Sequence, residues 1–272
     1  MNRWQTALAV LTALMLAGCA TTSGPGGRIP FESIAGARGP ANGLDGTLKL
    51  PPGQGPFPVV IVLHGCGGLG SNQKLWADRL NGWGYAAFLL DSFGPRGVKS
   101  VCAAANQPMV TPLDRASDVI SAALWLRGQP NIDPDRIGVL GGSHGGTTAA
   151  WVTQAVYEKR YPSLLKASID YYGACRQPET QGTVPLLALA GEADSWGQPA
   201  TTCQTFARKL RTDQPFELHT YPSVVHAFDN PRQETLSLNE GHPLLYNRPA
   251  AEDSYERVRT FLARWLAPLH SG

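Results

Sequence analysis

Short runs of apolar residues recur along this chain, and a helical pattern separates each run from the next. The predicted strands cover residues 44–50, 57–64, 85–91, 136–141, 167–172, 184–190 and 216–221. The predicted helices cover residues 72–82, 114–128, 143–159, 200–212 and 251–266. Several of the strands are apolar on both faces, as buried parallel strands are. The alternation therefore predicts one α/β domain, with a mostly parallel, doubly wound sheet flanked by helices.

Length, charge and cysteine spacing exclude several classes of function. The 272 residues suit one sizeable core better than two full domains. The formal net charge is +2 and no run of lysine or arginine occurs, so we expect no nucleic-acid partner. The chain has no CxxC motif and no cluster of cysteine with histidine. We therefore expect no metal site and no cofactor.

The N-terminus has the pattern of an export signal. Arg3 precedes an apolar run over residues 7–17, which is too short to span a bilayer but suits a secretory signal. The tetrapeptide Leu16-Ala17-Gly18-Cys19 resembles the lipobox of bacterial lipoproteins, in which the cysteine is lipidated. We expect residues 1–18 to be a signal peptide and Cys19 to become the lipidated N-terminus. An ordinary signal peptide cleaved nearby is the alternative.

The lipobox resemblance also implies a location. Ala20, rather than aspartate, follows the cysteine. The resemblance therefore implies export and a lipid anchor in the bacterial envelope, in the outer membrane and facing the periplasm. We expect residues 19–43 to hold the lipidated cysteine and a flexible tether, and residues 44–272 to form the folded domain.

A candidate nucleophile follows the predicted strand at 136–141. The sequence Gly141-Gly142-Ser143-His144-Gly145 has the G-x-S-x-G pattern, and a predicted helix begins directly after it. This strand–turn–helix order is typical of a nucleophile elbow, where a strained turn exposes the serine oxygen. Only glycine fits where the helix and the strand approach each other. We predict Ser143 as the nucleophile, with a glycine-rich turn and an inert serine as the alternative.

A second glycine-rich turn, His64-Gly65-Cys66-Gly67-Gly68, follows the strand predicted at 57–64. Glycines allow backbone N–H groups to point at a developing oxyanion without obstruction by side chains. We predict the N–H groups of Cys66 and His144 as the two donors of an oxyanion hole. His64 is predicted to orient this loop by hydrogen bonding, rather than to act as a base or a metal ligand.

A serine nucleophile needs a general base, and the base needs an orienting carboxylate, in the chain order Ser, Asp, His. His226 follows the last predicted strand, where a loop can bring its imidazole over the elbow. Asp194 follows the strand at 184–190. The rivals lie inside strands, in a long loop, in the tail or beside Asp194: His219, His242, His270, Asp170 and Glu192. The predicted triad is Ser143, Asp194 and His226.

Five short motifs in a fixed order resemble the dienelactone hydrolase family of the α/β-hydrolase superfamily. They are HGCGG (64–68), DSFGPRG (91–97), GGSHGG (141–146), GEAD (191–194) and VHAF (225–228). The resemblance covers roughly residues 44–266, and it implies an α/β-hydrolase fold and a hydrolase that uses the predicted triad. The founding members use a cysteine nucleophile, whereas this chain has Ser143. A serine-esterase mechanism is therefore expected.

We expect a small-molecule ester or lactone substrate and an acyl-enzyme intermediate. About a dozen residues separate the strands at 167–172 and 184–190, which is too few for an inserted lid domain. An acyltransferase or a peptidase can use the same triad, and a non-catalytic binding lipoprotein is a third alternative. The oligomeric state and the natural substrate do not follow from the sequence.

Two side chains and two cysteine pairs are expected to shape the pocket. Arg96 either binds a substrate carboxylate or pairs with Asp91. Trp196 either lines the pocket or covers the core, and we favour the pocket. The four cysteines outside the signal allow three pairings. The favoured pairs join loops at the same edge of the sheet, in an oxidising compartment: Cys66–Cys102 and Cys175–Cys203.

Overall fold

The apolar runs of the sequence form the centre of an eight-stranded sheet. The computed structural model describes residues 27–34, 43–103, 110–177, 182–210 and 215–267. The strands of the sheet are β1 (Ile29–Phe31), β2 (Leu44–Lys49), β3 (Phe57–Leu63), β4 (Ala86–Asp91), β5 (Ile132–Gly142), β6 (Ala167–Tyr171), β7 (Leu186–Gly191) and β8 (Phe216–Tyr221). Their spatial order is β1-β2-β4-β3-β5-β6-β7-β8. From β4 to β8 all pairs are parallel, whereas β1 and β2 are antiparallel additions at one edge.

Helices cover both faces of the sheet. They are α1 (Ser71–Gly82), α2 (Pro112–Arg127), α3 (His144–Trp151), α4 (Ala155–Arg160), α5 (Pro199–Ala207) and α6 (Arg248–Leu266). Alternate residues of β3 explain the two layers: Val59 and Ile61 pack with α2 and α3, whereas Val60 and Val62 pack with α1 and α6. The predicted doubly wound α/β-hydrolase fold is confirmed.

Two elements differ from the sequence predictions. The helix predicted over 143–159 is divided into α3 and α4, because Thr153 Oγ1 donates to the carbonyl of Ala150 and competes with the helical hydrogen bonds. The proposed flexible tether over 19–43 is too long, because Ile29–Phe31 forms β1. Phe31 anchors this strand by packing against Phe88 and Trp125. The signal peptide and Cys19 lie outside the described residues.

A small hairpin, β9 (Ser237–Asn239) and β10 (His242–Leu244), was not predicted from the sequence. Glu240 and Gly241 form its two-residue loop, and both have positive φ angles, as a type I′ turn requires. The hairpin follows the loop of His226, and a bridge pairs His226 with Leu244. None of the helices within the described ranges combines the length and apolar character that crossing a membrane demands.

Candidate active site

Ser143 occupies a strained turn between β5 and α3. Its φ of 58° and ψ of −122° lie outside the regions that L-residues prefer. The neighbouring glycines are sterically required. A Cβ atom at Gly141 would lie 2.3 Å from the carbonyl oxygen of Gly145, and one at Gly145 would lie 2.6 Å from that of His64. The turn therefore has the crowded strand-to-helix geometry of a nucleophile elbow, and Ser143 is only partly buried.

Asp194 and His226 form a buried pair at the same edge of the sheet. Asp194 follows β7, His226 follows β8, and the distance from His226 Nδ1 to Asp194 Oδ2 is 2.7 Å. Because the carboxylate only accepts, Nδ1 carries the proton and Nε2 keeps its lone pair. The other carboxylate oxygen of Asp194 accepts from the N–H of Trp196 at 2.8 Å. This arrangement leaves Nε2 able to accept a proton.

The rival carboxylates are engaged elsewhere. Glu192 is exposed and accepts from the hydroxyl of Thr220. Asp170 is buried in β6, where Oδ1 accepts from the N–H of Gly173 at 2.7 Å. Burial raises the pKa of Asp170 to about 7, partly opposed by that hydrogen bond. Of the three candidate carboxylates, Asp194 is the one hydrogen-bonded to His226.

Tyr172 contacts both the elbow and His226. Its ring centre lies 4.7 Å from that of His226, and its hydroxyl oxygen would lie 2.9 Å from a Cβ atom at Gly142. The hydroxyl donates to Asp229 Oδ1 at 2.6 Å, and Trp76 Nε1 donates to Oδ2 at 2.7 Å. Within the described ranges no hydrogen bond joins Ser143 to His226. Tyr172 thus packs between His226 and the turn of Ser143. Sequence reasoning missed both Tyr172 and Asp229.

The turn after β3 carries the first candidate oxyanion donor. A disulfide joins Cys66 to Cys102, with Cα atoms 4.9 Å apart. The N–H of Val101 also donates to the carbonyl of Cys66 at 2.8 Å, so two bonds fix the turn to the loop after β4. In the portion of the chain that the structure describes, the N–H groups of Cys66 and His144 have no acceptor. Both are therefore available to an oxyanion.

His64 is a buried structural residue. The N–H of Ser92 donates to Nε2 at 3.3 Å, so Nδ1 carries the proton and donates to the carbonyl of Gly65 at 2.8 Å. Burial, with the neighbouring charge of Arg115, holds the pKa of His64 well below its usual value. His64 is therefore neutral, and its hydrogen bond to Gly65 orients the start of the turn.

Arg115 is a functional candidate that sequence reasoning missed. It projects from α2, is fully buried, and contacts both His64 and the side chain of His144. A signal was present in the sequence, because Arg115 lies four residues before Val119 on the otherwise apolar stripe of the predicted helix. A charged residue on such a stripe indicates a buried polar contact.

Trp196 lies beside the Asp194–His226 pair rather than in the core. Its ring centre lies 5.0 Å from that of His226 and 5.4 Å from that of His242, which stacks on it. The β9–β10 hairpin supplies His242, and His242 Nδ1 lies 2.9 Å from the hydroxyl oxygen of Ser195. Trp196 is half-buried, so one part of the ring faces solvent. It forms a wall beside His226, and His242 is part of that wall rather than a rival base.

The contacts of Arg96 differ from both alternatives that the sequence offered. Its Nη1 and Nη2 atoms each donate to a carboxylate oxygen of buried Asp118 at 2.8 Å, and Nη1 also donates to the carbonyl of Ser92. The alternative partner, Asp91, pairs with Arg28 instead. The fork of Arg96 is satisfied by Asp118, and the side chain braces the loop after β4.

The second disulfide joins Cys175 to Cys203, with Cα atoms 4.8 Å apart. Both disulfides have the pairing that the sequence analysis favours. Cys175, Cys203 and Asp170 place their ligand atoms within 4.8 Å of one another, a spacing that suits a metal ion. Because both sulfurs are bonded to each other, neither can act as a thiolate ligand. Among the described residues this cluster therefore offers no metal site.

Comparisons with known proteins agree on one family for this chain. A model of the dienelactone hydrolase family matches residues 44–266. A "Probable 2-oxo-3-(5-oxofuran-2-ylidene)propanoate lactonase" from Bradyrhizobium sp. is 28% identical over 198 residues, which are 66% of this chain and 77% of that protein. A "Putative carboxymethylenebutenolidase" from Synechocystis sp. is 24% identical over 241 residues, which are 79% of this chain and 89% of that protein.

The solved structure of a dienelactone hydrolase from Anabaena variabilis has the same fold, with a TM-score of 0.64 and 18% identity. The match covers 89% of this chain and 100% of that chain. The chain therefore belongs to the dienelactone hydrolase family of the α/β-hydrolase superfamily, and it is a hydrolase that acts on esters.

Proposed function

We propose that this protein is a serine hydrolase that cleaves carboxylic ester or lactone bonds through Ser143, His226 and Asp194. The observation that carries the proposal is the 2.7 Å hydrogen bond from His226 to Asp194, at the same sheet edge as the strained Ser143 turn. A buried imidazole with its Nδ1 proton donated to a carboxylate is oriented as a general base.

The reaction follows from these parts. Nε2 of His226 takes the hydroxyl proton of Ser143 while Oγ attacks the carbonyl carbon, and Asp194 stabilises the resulting imidazolium. The N–H groups of Cys66 and His144 donate to the tetrahedral oxyanion, each contributing about 3 kcal/mol to transition-state stabilisation. His226 then protonates the leaving alkoxide. Water attacks the acyl-enzyme with the same base and releases the acid.

The substrate class draws on the family and on the site. The names of the two relatives given above describe a lactonase and a carboxymethylenebutenolidase, which supports small esters and lactones as substrates. Trp196 provides an apolar wall beside His226, where an acyl or alcohol group can pack. Arg96 is paired with Asp118, so we do not assign it to a substrate carboxylate.

Labelling with a fluorophosphonate probe tests the nucleophile. We expect labelling and hydrolysis of p-nitrophenyl esters by the wild-type protein, and loss of both in S143A. S195A is the matched control. Ser195 is an exposed serine next to Trp196, and its hydroxyl group is hydrogen-bonded to His242. Retained labelling in S143A, or no labelling of well-folded wild-type protein, contradicts the proposal.

A second measurement separates hydrolysis from acyl transfer. A panel of esters and lactones is assayed with and without an added alcohol or amine, and the products are quantified. We expect free acid to remain the main product. An ester or amide as the main product would show an acyltransferase, and cleavage of peptides in preference to esters would show a peptidase.

We also propose that the protein is exported and anchored to the bacterial envelope by lipid on Cys19. The lipobox-like tetrapeptide before Cys19 supports the proposal, as do two disulfides, which persist in oxidising compartments. Metabolic labelling with a radioactive fatty acid tests it. We expect lipid incorporation and membrane association in the wild type and neither in C19S. Labelling that survives in C19S overturns the anchor.

A further inference from the structure

A single buried guanidinium links the two turns that carry the candidate oxyanion donors. Arg115 projects from α2 and is fully buried. Its Nη2 atom donates to the carbonyl of His64 at 2.8 Å, and its Nη1 atom donates to Nδ1 of the His144 imidazole at the same distance. His64 opens the turn that contains Cys66, and His144 directly follows Ser143. One side chain therefore contacts both turns that carry the candidate oxyanion donors.

The carboxylates whose charges act on Arg115, those of Asp118 and Asp91, are each paired with another arginine. In the ranges that the structure describes, no carboxylate oxygen lies within 4.0 Å of its nitrogens, and Nε has no hydrogen-bond partner. Asp118, one turn further along α2, is hydrogen-bonded to Arg96. Burying a cation without an ion pair is unfavourable, and an apolar side chain of similar volume often serves packing equally well. Packing alone therefore does not account for an arginine here.

The contact with His144 fixes that imidazole in one state. Since a guanidinium only donates, Nδ1 of His144 must accept, and the ring proton is on Nε2. Burial, with the charge of Arg115, lowers the pKa of His144 to about 3. The imidazole is therefore neutral at the pH values where esterases are assayed, and its bond to Arg115 persists.

We propose that Arg115 is a positioning residue of the hydrolytic site. By holding the His64 carbonyl and the His144 side chain at once, it sets the first turn of α3 against the 64–68 turn, so that the N–H groups of Cys66 and His144 converge on one oxyanion. The inference rests on the proposed function. An oxyanion forms only in the transition state, so loss of this alignment lowers kcat and leaves KM nearly unchanged.

Substitution of Arg115 by a neutral side chain of similar length tests the role. We expect R115M to lower kcat about 100-fold, the effect of losing or misplacing one oxyanion donor, with KM within about threefold of wild type. R127M is the matched control, because Arg127 lies at the exposed end of the same helix. It should keep wild-type kinetics. A folded R115M with wild-type kcat, or with only a raised KM, overturns the proposal.

A second pair of variants changes the His144 side of the contact with Arg115. These variants test the proposal if R115M fails to fold. H144A removes the acceptor, whereas H144N offers an amide oxygen near the position of Nδ1 that can accept from Arg115. We expect H144A to lower kcat about tenfold and H144N to recover most of it. Equal activity of H144A and wild type overturns the proposal. Activity that persists in S143A instead contradicts the proposed function and is a separate result.

Discussion

His226 and Asp194 come from loops after neighbouring strands, yet His226 Nδ1 lies 2.7 Å from Asp194 Oδ2 and both side chains are almost fully buried. Such a short bond between a buried carboxylate and an imidazole fixes both the ring orientation and the tautomer. In the proposed mechanism the pair is therefore prepared for proton transfer before substrate arrives. Its importance can be measured by removing the charge of Asp194 without changing its shape.

D194N should lower kcat for p-nitrophenyl acetate by about 1,000-fold or more, since an amide favours the wrong imidazole tautomer. KM should change little, because the ground-state complex does not depend on that tautomer. Steady-state kinetics measure both constants. E192Q is the control, as Glu192 is an exposed acid two residues away. A comparable loss of kcat in E192Q would contradict the assignment of Asp194 as the acid.

The central strands and the elbow could be predicted because local sequence determines them. Strands such as β3 are buried on both faces and read as unbroken apolar runs, and Gly141 and Gly145 are required by crowding within one turn. The contact between Asp194 and His226 was predictable from chain order and strand ends. The elements that depend on few residues were not: β1 has three residues, and its main anchor is Phe31.

Two contacts between distant segments lay beyond sequence reasoning, those of Arg96 and of Tyr172. The choice of Asp118 rather than Asp91 as the partner of Arg96 depends on how α2 packs beside the loop after β4. The placement of Tyr172 against His226 depends on Asp229, which is separated from Tyr172 by 57 positions. No local periodicity encodes such pairs, since they form only once the sheet is assembled.

R96M should destabilise the fold rather than weaken substrate binding. Breaking a buried ion pair leaves Asp118 without its partner and costs about 3 kcal/mol or more of unfolding free energy. The ratio of the KM of R96M to the KM of the wild type should be the same for esters that carry a carboxylate as for neutral esters. Urea unfolding and steady-state kinetics give the two quantities. R264M, which removes an exposed pair with Glu217, is the control and should change neither. A selective rise in KM for carboxylate esters in R96M would restore the substrate role.

Loss of the two disulfides should separate activity from stability. Both close loops of similar length, with sequence separations of 36 and 28, so C102S and C203S should each cost about 3–4 kcal/mol of unfolding free energy. Only C102S releases the turn that carries the Cys66 amide, so kcat should fall about tenfold in C102S and by less than about threefold in C203S. Assays below the unfolding temperature of both variants test this. Equal kcat in the two variants would contradict the role of the Cys66 turn.

Trp196 should determine selectivity among esters. W196A removes the wall beside His226 and should lower kcat/KM for aryl or long-chain acyl esters about tenfold more than for acetate esters. W265A is the control, because Trp265 is a partly exposed tryptophan on α6. Competition between two esters in one reaction measures the ratio directly. An equal loss for all esters would indicate that Trp196 acts on His226 alone.

Stability should fall as pH rises from 3.8 to about 7 because of Asp170. Burial raises its pKa in the folded protein from the ordinary 3.8 to about 7. Between those values the folded state binds more protons than the unfolded state, so the contribution of Asp170 is full below pH 3.8 and is lost as pH rises through about 7.

D170N removes this titration, and its amide oxygen can still accept from the N–H of Gly173. Relative to wild type, D170N should therefore gain unfolding free energy between pH 5 and pH 8, by a few kcal/mol at most, since one pKa unit corresponds to about 1.4 kcal/mol. Urea unfolding at the two pH values measures the difference. D133N, at a partly exposed aspartate of β5, is the control. A difference that stays constant with pH would show that Asp170 is ionised in the folded protein throughout this range, and that the hydrogen bond to Gly173 outweighs the effect of burial.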